Sequence, residues 1–265
     1  MKRAISAAAN VNMGRLRENN EDNLYFNGLF LTEQTREQPA AFEGVYEDNR
    51  QFYAVCDGMG GEQFGELASL ISVETIHKYA SYLRGEPASD MDTMINQCIR
   101  EANDTICASQ KRLGSSRIGA TLALLVIDGK KAIIHNVGDS RVYMLRGGAL
   151  SQLSQDHTSV ANSVRLGIIS AQAAKTHPHR NSLTQYVGVD PAEMVIEPYK
   201  IEVKLKKKDI FLLCSDGLTD MVDESDMHRI LFETSKPAKA ARQLVDSALA
   251  GGGKDNVTVI VVAIS

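Results

Sequence analysis

The chain has 265 residues, of which 43% are hydrophobic and 23% charged, enough apolar material to bury a large core and no compositional sign of disorder. A net charge of -4 disfavours a nucleic-acid or anionic-membrane surface, because both reward a basic face. No apolar stretch approaches the ~20 residues needed to span a bilayer, and polar residues from Asn10 onward interrupt any signal-like run, so a cytoplasmic location is expected.

In chain order, the first strand-like runs are 24–31 and 51–56, rich in aliphatic and aromatic residues. Between them, 32–50 is polar, lacks periodicity and reads as an insertion. Two helices follow. The first, 66–83, places Leu67, Leu70, Ile71, Glu74 and His77 on one stripe, and the second, 91–113, does so with Met94, Ile95, Cys98, Ile99, Ala102 and Ile106. Asp90 is placed to cap the second and Gly114 to end it. Strands are expected at 120–127, 132–137 and 141–145. Asp128-Gly129 predicts a type I′ hairpin between the first two, and Gly147-Gly148 a turn before the apolar return at Ala149-Leu150. Residues 156–191 carry short helical pieces and turn signals, the pattern of a functional loop or lid. Lys206-Lys207-Lys208 reads as a solvated turn before the strand 210–214. Helices 224–233 and 237–250, the latter with Pro237 in its first turn, lead into a last strand at 257–264. Strict βαβ alternation is absent, so adjacent strand pairs imply antiparallel sheets covered by helices, in one domain spanning 1–265. Cys56, Cys98, Cys107 and Cys214 form no CxxC pair and no short Cys/His ligand spacing, which reads as reduced thiols, with Cys56 and Cys214 inside apolar runs.

The chemistry lies where acidic residues meet glycine at strand ends. Asp57 follows the run 52–56 and precedes Gly58-Met59-Gly60-Gly61; Asp216 follows 211–215 and precedes Gly217. Asp139 stands between Gly138 and Ser140, and Asp255 between Lys254 and Asn256, just before the last strand. A carboxylate at a strand end emerges at the rim of a sheet, and glycine beside it lets a carbonyl or an ion approach. Several such carboxylates in one place need a cation, and magnesium and manganese prefer these oxygen ligands. Near the N-terminus, Arg17 precedes Glu21-Asp22 by four residues and offers the fork that grips phosphate oxygens. Each site alone is as well explained by a turn or an exposed ion pair. Together they point to metal-assisted chemistry without fixing the reaction.

The motifs Arg17-x-x-Asn20-Glu21-Asp22, Asp57-Gly58-Met59-Gly60-Gly61, Gly119-Ala120-Thr121, Gly138-Asp139-Ser140-Arg141, Asp156-His157, Cys214-Ser215-Asp216-Gly217 and Asp255-Asn256-Val257-Thr258 stand in the order found in one family. The chain resembles the bacterial metal-dependent serine/threonine protein phosphatases of type 2C from Asn12 to the last strand. The resemblance implies an α+β fold, a four-layer α-β-β-α sandwich of two antiparallel sheets flanked by helices, with a flap subdomain at about 156–191. It implies hydrolysis of phosphoserine and phosphothreonine in proteins, with two manganese or magnesium ions and a weaker third. Asp57 would bridge two ions, the Gly58 carbonyl would help bind one, and Asp216 and Asp255 would hold the other. Glu21 and Asp22 would act through water, Asp139 would bind the third ion with Asp216, and Arg17 would grip the phosphate. Some relatives carry a histidine, a candidate general acid, where this chain has Met59; His157 and His177 read as structural or flap residues. The resemblance further implies phosphorylated proteins and a serine/threonine kinase as partners, and a monomer. A nuclease reading lacks a basic groove, and a binding module without turnover is expected to have lost a ligand aspartate.

Overall fold

The computed structural model describes residues 4–60, 64–85, 91–114 and 117–265. Its strands are β1 (Ile5–Asn12), β2 (Asp22–Phe26), β3 (Leu29–Phe30), β4 (Ala40–Tyr46), β5 (Arg50–Met59), β6 (Gly119–Ala120), β7 (Leu122–Asp128), β8 (Lys131–Val137), β9 (Arg141–Arg146), β10 (Ala149–Gln152), β11 (Tyr199–Lys204), β12 (Ile210–Cys214) and β13 (Val257–Ile264). Its helices are α1 (Gly65–Leu83), α2 (Met91–Leu113), α3 (Ser159–Arg165), α4 (Ala171–Ala174), α5 (Asp216–Thr219), α6 (Glu224–Glu233) and α7 (Pro237–Ala250).

The strands form two antiparallel sheets. One runs β10-β9-β12-β13-β1-β4; the other runs β11-β8-β7-β5-β2-β3, with β6 paired to the end of β5. Side chains alternate across a strand, so a strand apolar on both faces must be covered twice. In β7, Leu122, Leu124 and Val126 face α1 and α2, while Ala123, Leu125 and Ile127 meet the opposite sheet. In β13, Val257, Val259 and Val261 lie under α5, α6 and α7, and Ile260, Val262 and Ile264 join the layer between the sheets. Three apolar layers therefore separate helices, sheet, sheet and helices, and the four-layer sandwich follows from the alternation.

The structure departs from the sequence reading in several places, the run 24–31 among them, which a turn at Asn27-Gly28 breaks into the antiparallel pair β2 and β3. β1, β4 and β11 were not expected. β1 is alanine-rich, and its small side chains let α7 pack against it; propensity alone gives that run no strand signal. β4 turns part of 32–50 into an edge strand on β1, alternating half-buried and exposed, so the segment is not simply an insertion. β11 is a half-exposed edge of the other sheet. In α1, Glu74 is exposed, and the buried face runs through Ala68, Ile71, Val73, Ile76 and Ala80 instead. At the β7–β8 hairpin only Gly129 takes a positive φ (59°), the pattern of a type II′ turn, whereas Gly147 and Gly148 are both positive, as type I′ requires. Lys206, Lys207 and Lys208 form an exposed turn as expected, while Asp90 and Gly61 lie outside the described residues.

Leu125 is fully buried between the sheets, whereas Phe232 is 63% exposed. Leu125→Ala is expected to lower unfolding free energy by roughly 2–5 kcal/mol. Phe232→Ser should change it by no more than about 0.5 kcal/mol; urea titration of both variants measures the contrast.

Candidate active site

The pairing of β2 with β5 sets Asp22 directly opposite Asp57. The Asp57 amide donates to Thr121 Oγ1 at 3.0 Å, and the Thr121 amide donates back to the Asp57 carbonyl at 2.8 Å. Thr121 Oγ1 also lies 2.6 Å from Ser140 Oγ, next to Asp139. One threonine thereby ties the turns carrying Asp57 and Asp139 together. On the other sheet, Asp216 opens α5 immediately after Ser215. Ser215 Oγ donates to Asp22 Oδ2 at 2.7 Å and accepts the Thr258 amide at 3.0 Å, linking the two sheets through an aspartate. Gly217 allows this join: a Cβ there would stand 1.9 Å from the Asn256 carbonyl oxygen.

Asn256 fastens the N-terminal loop to the same rim. Its Oδ1 accepts the Glu21 amide at 2.7 Å, and its Nδ2 donates to the carbonyls of Met13 and Asn19 at 2.8 and 2.9 Å. Arg17, in that loop, donates from Nη2 to Asp255 Oδ2 at 2.7 Å and lies 3.8 Å from Glu21 Oε2. The half-exposed guanidinium thus stands at the mouth, above carboxylates set deeper. Arg17, Glu21, Asp22, Asp57, Gly58, Asp139, Asp216 and Asp255, separated by up to 238 residues, are gathered at one end of the sandwich.

The setting of Glu21, Asp22, Asp57, Asp139 and Asp216 opposes ionisation of their carboxyls. Burial pushes the Asp22 carboxyl up to about 7 despite the Ser215 hydrogen bond, and pushes Asp216 up to about 6, with Asp255 and Asp220 adding to it. Asp57 and Asp139 are held well above the usual carboxylate range, by burial first and neighbouring aspartates second. Glu21 is raised by burial, with Arg17 opposing the rise. For Arg17, burial works against the charge, and the bond to Asp255 together with the charges of Asp255, Glu21 and Asp57 outweighs it, raising its pKa.

This donor set fits a hard divalent cation. It consists of oxygen alone, and positive charge is what relieves the repulsion. Gly65 adds a shape argument: a Cβ on it would lie 2.5 Å from Glu21 Oε1 and 2.8 Å from the Gly58 carbonyl oxygen, so both oxygens converge on space that only glycine leaves open. Among the described residues, no group of three or more His, Cys, Asp or Glu side chains is arranged to hold a metal by itself. Asp22 is turned onto Ser215 and Asp255 onto Arg17, so an ion bound here would have to draw on carbonyl and water as well as carboxylate.

The segment 156–191 reaches the same rim. Arg141 grips Asp156 through Nε and Nη2, the latter at 2.6 Å, which anchors the base of the segment to β9. Arg180 donates to Asp220 Oδ2 at 2.6 Å, and Asn181 donates to Asp220 and Asp216 at 3.3 and 3.5 Å. His157 is buried, accepts the Gly138 amide on Nδ1 at 3.2 Å, and is lowered in pKa by burial; it is structural. His177 accepts the His179 amide within the flap. A surface cavity lined by Asp48, Asn49, Arg50, Arg84, Asp128 and Gly129 lies at the opposite end of β5 and has no part in this cluster. The sequence reading missed Thr121, Ser140, Ser215, Asn256 and Thr258 as supports. Their only signal was membership of the motifs, with Ser140, Ser215 and Asn256 each adjoining an aspartate.

The profile described as protein phosphatase 2C matches residues 32–251, a span containing Asp57, Asp139 and Asp216. The serine/threonine phosphatase stp of Listeria monocytogenes serotype 4b (strain F2365) is 33% identical over 264 residues, covering 97% of this chain and 95% of that one. The crystal structure of the Mycobacterium tuberculosis serine/threonine phosphatase PstP/Ppp superposes with a TM-score of 0.82 at 30% identity, covering 98% of each chain. The catalytic domain of PstP in complex with two manganese ions superposes with a TM-score of 0.80 at 28% identity, covering 98% and 99%. With a family profile over most of its length and a relative one-third identical along nearly all of it, this chain belongs to the protein phosphatase 2C family.

Proposed function

We infer that the protein is a single-domain phosphatase that hydrolyses phosphoserine and phosphothreonine in proteins by attack of a metal-activated water. The observation that carries this is the gathering of Asp22, Asp57, Asp139, Asp216 and Asp255 beside Arg17, from both sheets and three loops, with burial resisting ionisation of the first four. Asp57 and the Gly58 carbonyl, with Glu21 and Asp22 through water, would hold one manganese or magnesium ion. Asp57, Asp216 and Asp255 would hold a second, and Asp139 with Asp216 a weaker third. Bound there, such ions lower the pKa of a shared water and make hydroxide available near neutral pH.

The protein's own groups do the rest. Arg17 exchanges its carboxylate partners for phosphate oxygens and steadies the equatorial charge that builds as the bond breaks. Ser215, Thr121 and Asn256 hold the ligand carboxylates in place. No phosphoenzyme is required, and the four cysteines take no part: all are buried and free, and burial raises each thiol. Met59 offers no proton and His157 is engaged, so water supplies the leaving-group proton. The flap, 156–191, borders substrate through α5. No helix among the described residues is long and apolar enough to cross a membrane. A monomer in the cytoplasm, countering a serine/threonine kinase in signalling, completes the reading.

Asp57→Asn and Asp216→Asn should each lower kcat by about 10²–10³-fold or more, in a manganese-dependent assay on p-nitrophenyl phosphate and a phosphothreonine peptide. Near-normal turnover by either variant sinks the ligand assignment. Arg17→Ala should chiefly raise KM, and unchanged kinetics would remove its role. The carboxyls also set a pH dependence. Asp22 binds a proton up to about 7 when folded and only up to about 3.9 when unfolded. The folded state therefore holds more protons between those values, and metal-free stability falls as pH rises from about 4 to about 7. Urea unfolding in chelator should show that decline, and saturating manganese should flatten it.

A further inference from the structure

Glu66 lies one residue beyond the Gly65 backbone that separates Glu21 from the Gly58 carbonyl, and the proposed function gives it no role. Its Oε2 is buried with no hydrogen-bond partner, which few native carboxylate oxygens tolerate. Its Oε1 lies 3.6 Å from Arg36 Nη2, and this is its one ion pair among the described residues. Arg36 belongs to the turn 32–38, whose purpose the sequence left open. Asn20, next to Glu21, donates from Nδ2 to the Arg36 carbonyl at 3.0 Å, so this turn is fastened to the loop that carries the proposed ligands. Glu66 and Glu21 are close enough that Glu66 raises the Glu21 carboxyl.

We propose that Glu66 is a positioning residue for the ion held by Glu21 and Gly58: its free Oε2 accepts a hydrogen bond from a water on that ion, and Arg36 is the counter-charge that keeps it oriented. A buried, unpaired carboxylate oxygen beside a water-mediated ligand lacks one donor, and a water bound to a cation is a strong one. Arg36 leaves Oε2 uncovered because its guanidinium approaches Oε1. Residues 32–38 thus act as an outer brace of the metal centre, reached through side chains rather than through the sheet. This rests on the reading of Glu21 and Gly58 as ligands.

The test is manganese binding by calorimetry, with unfolding in chelator as the control for fold. Glu66→Gln and Glu66→Leu should weaken one of the bound ions by roughly 10–100-fold, the loss typical of an outer hydrogen-bond partner. Their unfolding midpoints in chelator should not fall, high manganese should restore kcat, and KM for phosphopeptide should stay unchanged. A manganese isotherm identical to wild type in both variants overturns the proposal while leaving the phosphatase reading intact. A wild type that binds no manganese overturns both. If the Glu66 variants fail to fold, Arg36→Ala decides: weakened binding of the same ion supports the brace, and an unchanged isotherm refutes it.

Discussion

Crowding of carboxylates into a partly desolvated cleft is the constraint on which the rest of this structure depends. Five aspartates and Glu21 share the end of a sandwich whose interior is apolar, and burial first, with neighbouring aspartates second, raises the carboxyls of Asp22, Asp57, Asp139 and Asp216. Such a cluster repels itself unless a cation is present, so the fold must hold it together by other means. Two apolar layers flank it and a third runs between the sheets, giving rigid strand ends from which the side chains emerge. At those ends short polar side chains take over from packing. Ser215 joins Asp22 to β12 and β13, Thr121 joins the turns of Asp57 and Asp139, and Asn256 holds the loop of Arg17 and Glu21.

The same economy explains the glycines of the site. At Gly217 a Cβ would collide with the Asn256 backbone, and at Gly65 it would occupy the space on which Glu21 and the Gly58 carbonyl converge. Neither residue contributes a side chain to chemistry. Both set how closely two segments approach, and that distance decides whether oxygens from different strands are able to share one ion.

The flap is built differently from the body. Apart from Val160, Val187 and Val189 it contributes little to the apolar layers, and Leu166 and Ile168 are exposed at its tip. It is held by charge at its base, Arg141 with Asp156, and by polar contacts at α5, Arg180 and Asn181 with Asp220 and Asp216. Arg180 and Asp220 are partly exposed, and ion pairs of that kind contribute little to stability, whereas Arg141 and Asp156 are mostly buried and pair through two nitrogens. The segment 156–191 therefore meets α5 through partly exposed polar contacts, while Asp22 and Asp57 are held by strand pairing.

The sequence alone determined the helices, the central strands and the aspartates, for physical reasons that act locally. The apolar spacing of 91–113, 224–233 and 237–250 repeats at the helical period, and β5, β7, β12 and β13 are long apolar runs; all were legible to within a residue or two except the end of β5, which runs three residues past 51–56. Asp57, Asp139, Asp216 and Asp255 stood out only together: each alone reads as a turn, but a carboxylate repeated at the ends of apolar runs is costly unless a cation accompanies it. Other features emerged only in three dimensions. β1, with alanine at 7, 8 and 9, is a strand because α7 covers it and β13 and β4 pair with it; β4 and β11 are strands because a neighbour offers an open edge, not because their residues favour one. Convergence of the aspartates, the bond between Ser215 and Asp22 across 193 residues, and the placement of Arg36 against Glu66 depend on which strands lie side by side. Pairing between strands distant in sequence is set by burial of both sheet faces at once, and no local run of residues encodes that.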